Sequence, residues 1–110
     1  MLIQLSDYPN YLVDDYGNIF SFFRDLRPLK YRKDRYGYYL VNLVGHDKIR
    51  TTVLVHRIVA KAFLGGSNLT VNHKDGNKLN NQIDNLEYLT HLDNMKHAQL
   101  IGLVPSKRHL

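Results

Sequence analysis

From Val71 to Ala98 the chain reads VNHKDGNKLNNQIDNLEYLTHLDNMKHA, 28 residues with six Asn, three His and three Asp but neither Cys nor Pro. Amide-rich loops are usually just turns, so the order of elements around this one matters. "LTVNH" reads as a short strand, "KDGNKLNNQIDN" as a long polar loop and "LEYLT" as a second strand. A helix follows from about His91, and Thr90 with Asp93 three residues on has the spacing of a capping box. Strand, long loop, strand and helix in that order describe a hairpin packed on one helix.

The preceding half has a different rhythm. "YLVDDYGNIFSF" reads as two short strands turning at Asp15 to Asn18, where Gly17 can take positive φ. Strand-like stretches recur near Lys30–Lys33, Tyr38–Val44 and Ile49–Val55, separated by "DRYG" and "GHDK". Ile49, Thr51, Val53 and Val55 alternate as in a strand covered on one face. A small antiparallel sheet is the expectation. "VHRIVAKAFL" then switches to a helical period, with Ile58/Ala62 and Val59/Phe63 toward the sheet and Arg57/Lys61 toward solvent. Gly65-Gly66 ends this helix. "GGSN" is the expected lobe boundary, with ten basic and six acidic residues through Gly66 and five and four after it. The expected class is therefore α+β: an N-terminal sheet-and-helix lobe over 1–66, a hairpin-and-helix core over 67–103 and a tail over 104–110.

Asn94 is the informative residue of the last helix. It shares a face with Ala98 and Ile101, where a plain packing helix would carry an apolar side chain. An amide facing inward must find partners or cost about 1–3 kcal/mol. Opposite it lies the strand end Asn72-His73. Two amides and an imidazole would thus share one small space, either as a network tying helix to hairpin or as a working site.

The residues "VNHKDGNKLNN", "DNLEYLT" and the following Asp93-Asn94 and His97-Ala98 resemble the HNH nuclease motif, in the subgroup found in phage and intron-encoded homing endonucleases. The segment before them resembles, more loosely, the modular DNA-binding motif that often precedes that core. The resemblance implies a ββα-metal fold, in which a hairpin and a helix clamp one divalent cation against the scissile phosphate. It implies His73 as general base, Asn72 and Asn94 as metal ligands, and Asn85 as the middle Asn that pins the long loop, assisted by Asn81. His97 and Asp75 are candidate auxiliary ligands. Many such enzymes carry Asp where Asn72 stands. The implied ion is Mg²⁺, with Mn²⁺ able to substitute, since hard cations prefer oxygen ligands. A catalytically silent DNA-binding protein of the same fold is the alternative.

Charge fits a nucleic-acid partner. Six of fifteen basic residues (Arg24, Arg27, Lys30, Arg32, Lys33 and Arg35) fall within twelve positions, against Asp25 and Asp34 alone. Tyr31, Tyr36, Tyr38 and Tyr39 interleave with them and offer hydroxyls and stacking faces. With Arg57 and Lys61 they form the expected contact surface for double-stranded DNA. Charge by itself also fits a solvated face. Of the remaining histidines, His56 is expected to pack locally, and His46, His91 and His109 to have no role. The absence of Cys excludes disulfides and Cys-based metal sites. No apolar run approaches the roughly 20 residues of a membrane helix. "MLIQLSDYPNY" lacks the basic and apolar regions of a secretory signal. The expected compartment is the cytoplasm (the host's, for a phage-encoded chain), and the expected state is a monomer or homodimer.

Overall fold

The computed structural model describes residues 1–102. The whole of the expected tail, 104–110 with His109, lies outside the described residues. Strands β1 (Leu2–Gln4), β2 (Tyr11–Asp14), β3 (Ile19–Ser21) and β4 (Arg27–Pro28) pair antiparallel in that order. Strands β5 (Arg32–Lys33), β6 (Tyr39–Val44) and β7 (Arg50–Leu54) form a second antiparallel sheet. Helix α1 (Val55–Leu64) follows directly, and the ribbon β8 (Thr70–His73) with β9 (Leu86–Leu89) leads into α2 (His91–Leu100). The α+β class and the element order match expectation. The strands before α1 form two small sheets, because the connection from Leu29 to Tyr31 breaks the ladder.

One chemical device makes the tight turns. Asp14 Oδ1 accepts from the N–H groups of Tyr16 and Asn18, and Asp34 Oδ1 from those of Tyr36 and Tyr38. A carboxylate that satisfies two turn amides stabilises the reversal before the strands pair. In the first turn Gly17 sits at φ 90°, and a Cβ there would lie 2.6 Å from the Asn81 carbonyl oxygen. Only glycine fits that contact.

Helix α1 lies at the centre. Val55, Val59 and Ala60 are fully buried and join Val13, Ile19 and Leu43 of the sheets to Val71 and Leu86 of the ribbon. Each fully buried aliphatic side chain contributes about 1.5–3 kcal/mol. One core therefore runs continuously across the Gly65-Gly66 stop. Gly65, at φ 88°, closes α1 by donating its N–H to the Lys61 carbonyl.

Two expectations about faces need correction. Ile49 is 59% exposed and Thr51 is exposed too, so β7 has no continuous covered face. It is an edge strand, and only its end at Val53 and Leu54 comes under α1. Tyr31 and Tyr39 pack against the core rather than toward a ligand, and the Tyr31 hydroxyl is taken by the Ile19 N–H and the Gly17 carbonyl. Arg57 and Lys61 do face outward, but their cations are used within the chain. Arg57 donates to the carbonyls of Leu69 and Ser67, and Lys61 pairs with Asp7 at 2.7 Å.

Candidate active site

The β8–β9 register sets Asn72 opposite Glu87 and His73 opposite Leu86. A twelve-residue loop cannot fix a register by turn geometry alone, so side chains must hold it. Asn85 does most of that work. Its amide donates to Asp75 Oδ1 and to the Asn80 carbonyl, and its oxygen accepts the Asp75 N–H. Its own carbonyl receives the Lys74 N–H, so one buried amide draws both sides of the loop together.

That folding brings Asn81 beneath His73. Nε2 of His73 lies 2.7 Å from Asn81 Oδ1 in buried surroundings. An amide oxygen only accepts, so Nε2 carries the proton and Nδ1 keeps its lone pair. Burial pushes the imidazole below its ordinary pKa, and the charge of Lys78 adds to this against the opposing effects of Asn81 and Asp75. The ring is neutral at working pH and can accept a proton.

Asn72 is buried, and its Nδ2 donates to Glu87 Oε2 across the ribbon at 2.8 Å. The nitrogen is thereby committed, which leaves the amide oxygen as the free polar atom. On the far side, Thr90 Oγ1 accepts the Asp93 N–H and starts α2. Helix α2 is tied to the loop through His97, whose Nε2 donates to the Lys74 carbonyl at 2.9 Å. Asn72, His73, Asn94 and His97 together line a cleft of about 310 Å³, with Tyr38, Lys78 and Ala98 on its walls. Asn94 is half-buried there, while Ile101 is 41% exposed and does not share a covered face with it. Helix α2 is short and ends before Ile101 can reach the ribbon.

One expected neighbour, Asp75, is absent from this cleft. Asp75 spends both carboxylate oxygens inside its own loop, on Asn77, Asn85 and Asn80. Those bonds, that to Asn80 first, hold its carboxyl below the usual range. Asn85 acts within the loop, in the pinning position the resemblance gave it. Asn81 turns to His73 instead of joining Asn85 as a loop pin.

Asn81 was implied only as a helper of Asn85, and three further contributors carry no readable sequence signal of their position: Glu87, Lys78 and His56. The last is the second residue of α1 and is buried, its ring 4.9 Å from Tyr38 and 5.2 Å from His73. Its Nδ1 is buried without a hydrogen-bond partner among the described residues. Burial chiefly, then the neighbouring His73 and Arg57, pushes its pKa from 6.5 down to about 4. Between those values the unfolded chain binds a proton that the folded chain refuses, so stability is full above pH 6.5 and falls as the pH drops toward 4. From pH 7 to pH 5 the loss should be about 2 kcal/mol, on the order of 10 °C in Tm. Thermal melts of the wild type and His56→Leu across that range check this; parallel slopes would remove His56 as the cause.

The family model described as HNH endonuclease matches residues 53–96, from late in β7 through most of α2. The fold comparison agrees over nearly the whole chain: a solved structure of the HNH homing endonuclease I-HmuI superposes with a TM-score of 0.83 and 31% identity, covering 94% of this chain and 60% of that one. The segment 53–96 belongs to the HNH endonuclease family. The chain's HNH relatives include H-N-H endonuclease F-TflI of Escherichia phage T5, 35% identical over 99 residues, covering 86% of this chain and 50% of that protein. DNA endonuclease I-HmuI of Bacillus phage SP01 is 36% identical over 95 residues, covering 84% of this chain and 53% of that protein. The chain thus spans about half the length of these curated HNH relatives.

Proposed function

We propose that this chain is a metal-dependent DNA endonuclease that hydrolyses phosphodiester bonds, with His73 as general base and Asn72 and Asn94 holding one divalent cation. The observation that carries the reading is the shared cleft, with a neutral imidazole whose Nδ1 lone pair is left for a water proton. The donor set fits a hard cation. Asn72 has its nitrogen tied to Glu87 and offers oxygen, and Asn94 brings a second amide to the same cleft. Glu87 also places a carboxylate one hydrogen bond behind Asn72, which supplies nearby the negative charge that Asp supplies in many members of the family. When bound, the cation stabilises charge developing on the phosphate and the leaving oxygen. Mg²⁺ is the natural candidate and Mn²⁺ a substitute.

Within this reading His73 takes the proton of the attacking water on Nδ1, while Asn81 holds the ring by its other nitrogen. His97 orients α2 through the Lys74 carbonyl. Asn85 preserves the loop on which His73 and Asn81 depend. Duplex DNA would be met by Arg24, Arg27, Lys30, Arg32, Lys33 and Arg35, with the residues before Gly65-Gly66 providing most of the cationic surface. Arg57 and Lys61, already engaged, are lesser contributors.

Supercoiled plasmid incubated with Mg²⁺ should convert to nicked or linear DNA, and EDTA should stop the conversion. Retarded mobility without cleavage in either Mg²⁺ or Mn²⁺ would favour the silent DNA-binding alternative.

A further inference from the structure

Lys78 sits in the loop five residues past His73 and lines the same cleft as Asn72, His73 and Asn94. Surface lysines usually sample many rotamers, and a diffuse cation contributes little to one phosphate. This one is held. Its Nζ donates to the Tyr36 carbonyl at 2.9 Å and lies 4.9 Å from the centre of the Tyr38 ring. Its stem runs beside Gly37, where an added Cβ would meet Lys78 Cδ at 3.8 Å. The turn between β5 and β6 therefore forms a bracket for one ammonium group.

The same Tyr38 ring is 6.0 Å from the imidazole of His73, so a single aromatic side chain neighbours both the cation and the base. Among the described residues the ion pairs are Met1 with Asp15 and Lys61 with Asp7, and Lys78 has no carboxylate partner. The asymmetry with Lys61 is informative. That lysine is neutralised by Asp7, whereas Lys78 keeps its full charge at the cleft wall. A tethered, unneutralised cation beside a base matches a phosphate oxygen that gains negative charge as water attacks. Its field also favours the neutral form of His73.

We propose that Lys78 is a further catalytic residue, whose ammonium binds a non-bridging oxygen of the scissile phosphate and stabilises its growing charge. The proposal rests on the endonuclease reading above. The competing role is that of a strut, in which Lys78 merely ties the loop to the Tyr36 carbonyl.

Three substitutions separate charge from strut. K78M removes both charge and donor, K78Q keeps a donor for the Tyr36 carbonyl, and K78R keeps the charge. Cleavage of plasmid in Mg²⁺ is followed at saturating enzyme, DNA affinity is measured in EDTA, and each variant is melted. K78M and K78Q should lose about 10- to 100-fold in rate, and K78R should stay within about fivefold of wild type. Affinity in EDTA should change by less than about threefold, with melting unaltered in K78Q. Wild-type rates in K78Q, a K78R as slow as K78Q, or a loss confined to affinity would each overturn the proposal while leaving the endonuclease reading intact. A wild-type protein that never cuts overturns that reading, and this proposal falls with it.

Discussion

His73→Ala should lower metal-dependent cleavage by about 10²–10⁴-fold, the usual contribution of a positioned general base. DNA affinity measured in EDTA should stay close to wild type, because the imidazole is only 5% exposed and a buried base adds little to phosphate contacts. The substitution leaves Asn81 Oδ1 without its 2.7 Å partner, so some stability is also lost. That loss must not be mistaken for the catalytic effect. Melting curves give the folded fraction at the assay temperature, and added imidazole offers a replacement base for the vacated space. Residual cleavage above a tenth of the wild-type rate in fully folded protein would remove His73 from the chemistry.

Asn85→Ala should produce the largest stability effect. It deletes three side-chain hydrogen bonds from a residue 8% exposed and frees the Asp75 N–H and the Asn80 carbonyl in the process. Buried polar groups left unpaired cost about 1–3 kcal/mol each, and water can reach some of this loop, so a total near 3 kcal/mol is expected. In a domain of this size that lowers Tm by more than about 10 °C. Asn85→Asp should be at least as damaging, since it sets a second carboxylate against Asp75. A shift under about 3 °C for Asn85→Ala would mean that the β8–β9 register is held by other means.

These expectations show which features a single sequence discloses. Helix α1 was legible from its i,i+4 pairs and glycine stop, and the β8–β9–α2 order from one polar loop between short apolar runs. Strands β1 and β4, of three and two residues, leave too short a pattern to register. The break between the two sheets was hidden for the same reason. In the site, Asn94 stood out because an amide sat where a packing helix would carry an apolar residue, with Asn72 and His73 opposite it, while Asn85 was singled out only by the resemblance to the HNH motif. Their helpers did not. The pairing of Asn72 with Glu87 depends on a register that a long loop leaves open, and the bond between His73 and Asn81 depends on how that loop refolds. His56 and Tyr38 reach the cleft from α1 and β6, far away in the chain. Periodicity places a residue on a face of its own element but says nothing of the element across from it.

The contact between Gly17 and Asn81 has an implication for transplantation. Asn81 Oδ1 holds the His73 ring, the Asn81 carbonyl rests against Gly17, and the neighbouring Ile83 N–H is received by the Asp15 carbonyl. The proposed base is thus braced from behind by the reversal between β2 and β3, on the opposite side of the Gly65-Gly66 stop. A cassette cut at that stop would carry every proposed catalytic side chain and leave behind the surface they lean on. Grafting this hairpin and helix onto a different scaffold therefore requires carrying the β2–β3 reversal along, or rebuilding its floor under Asn81.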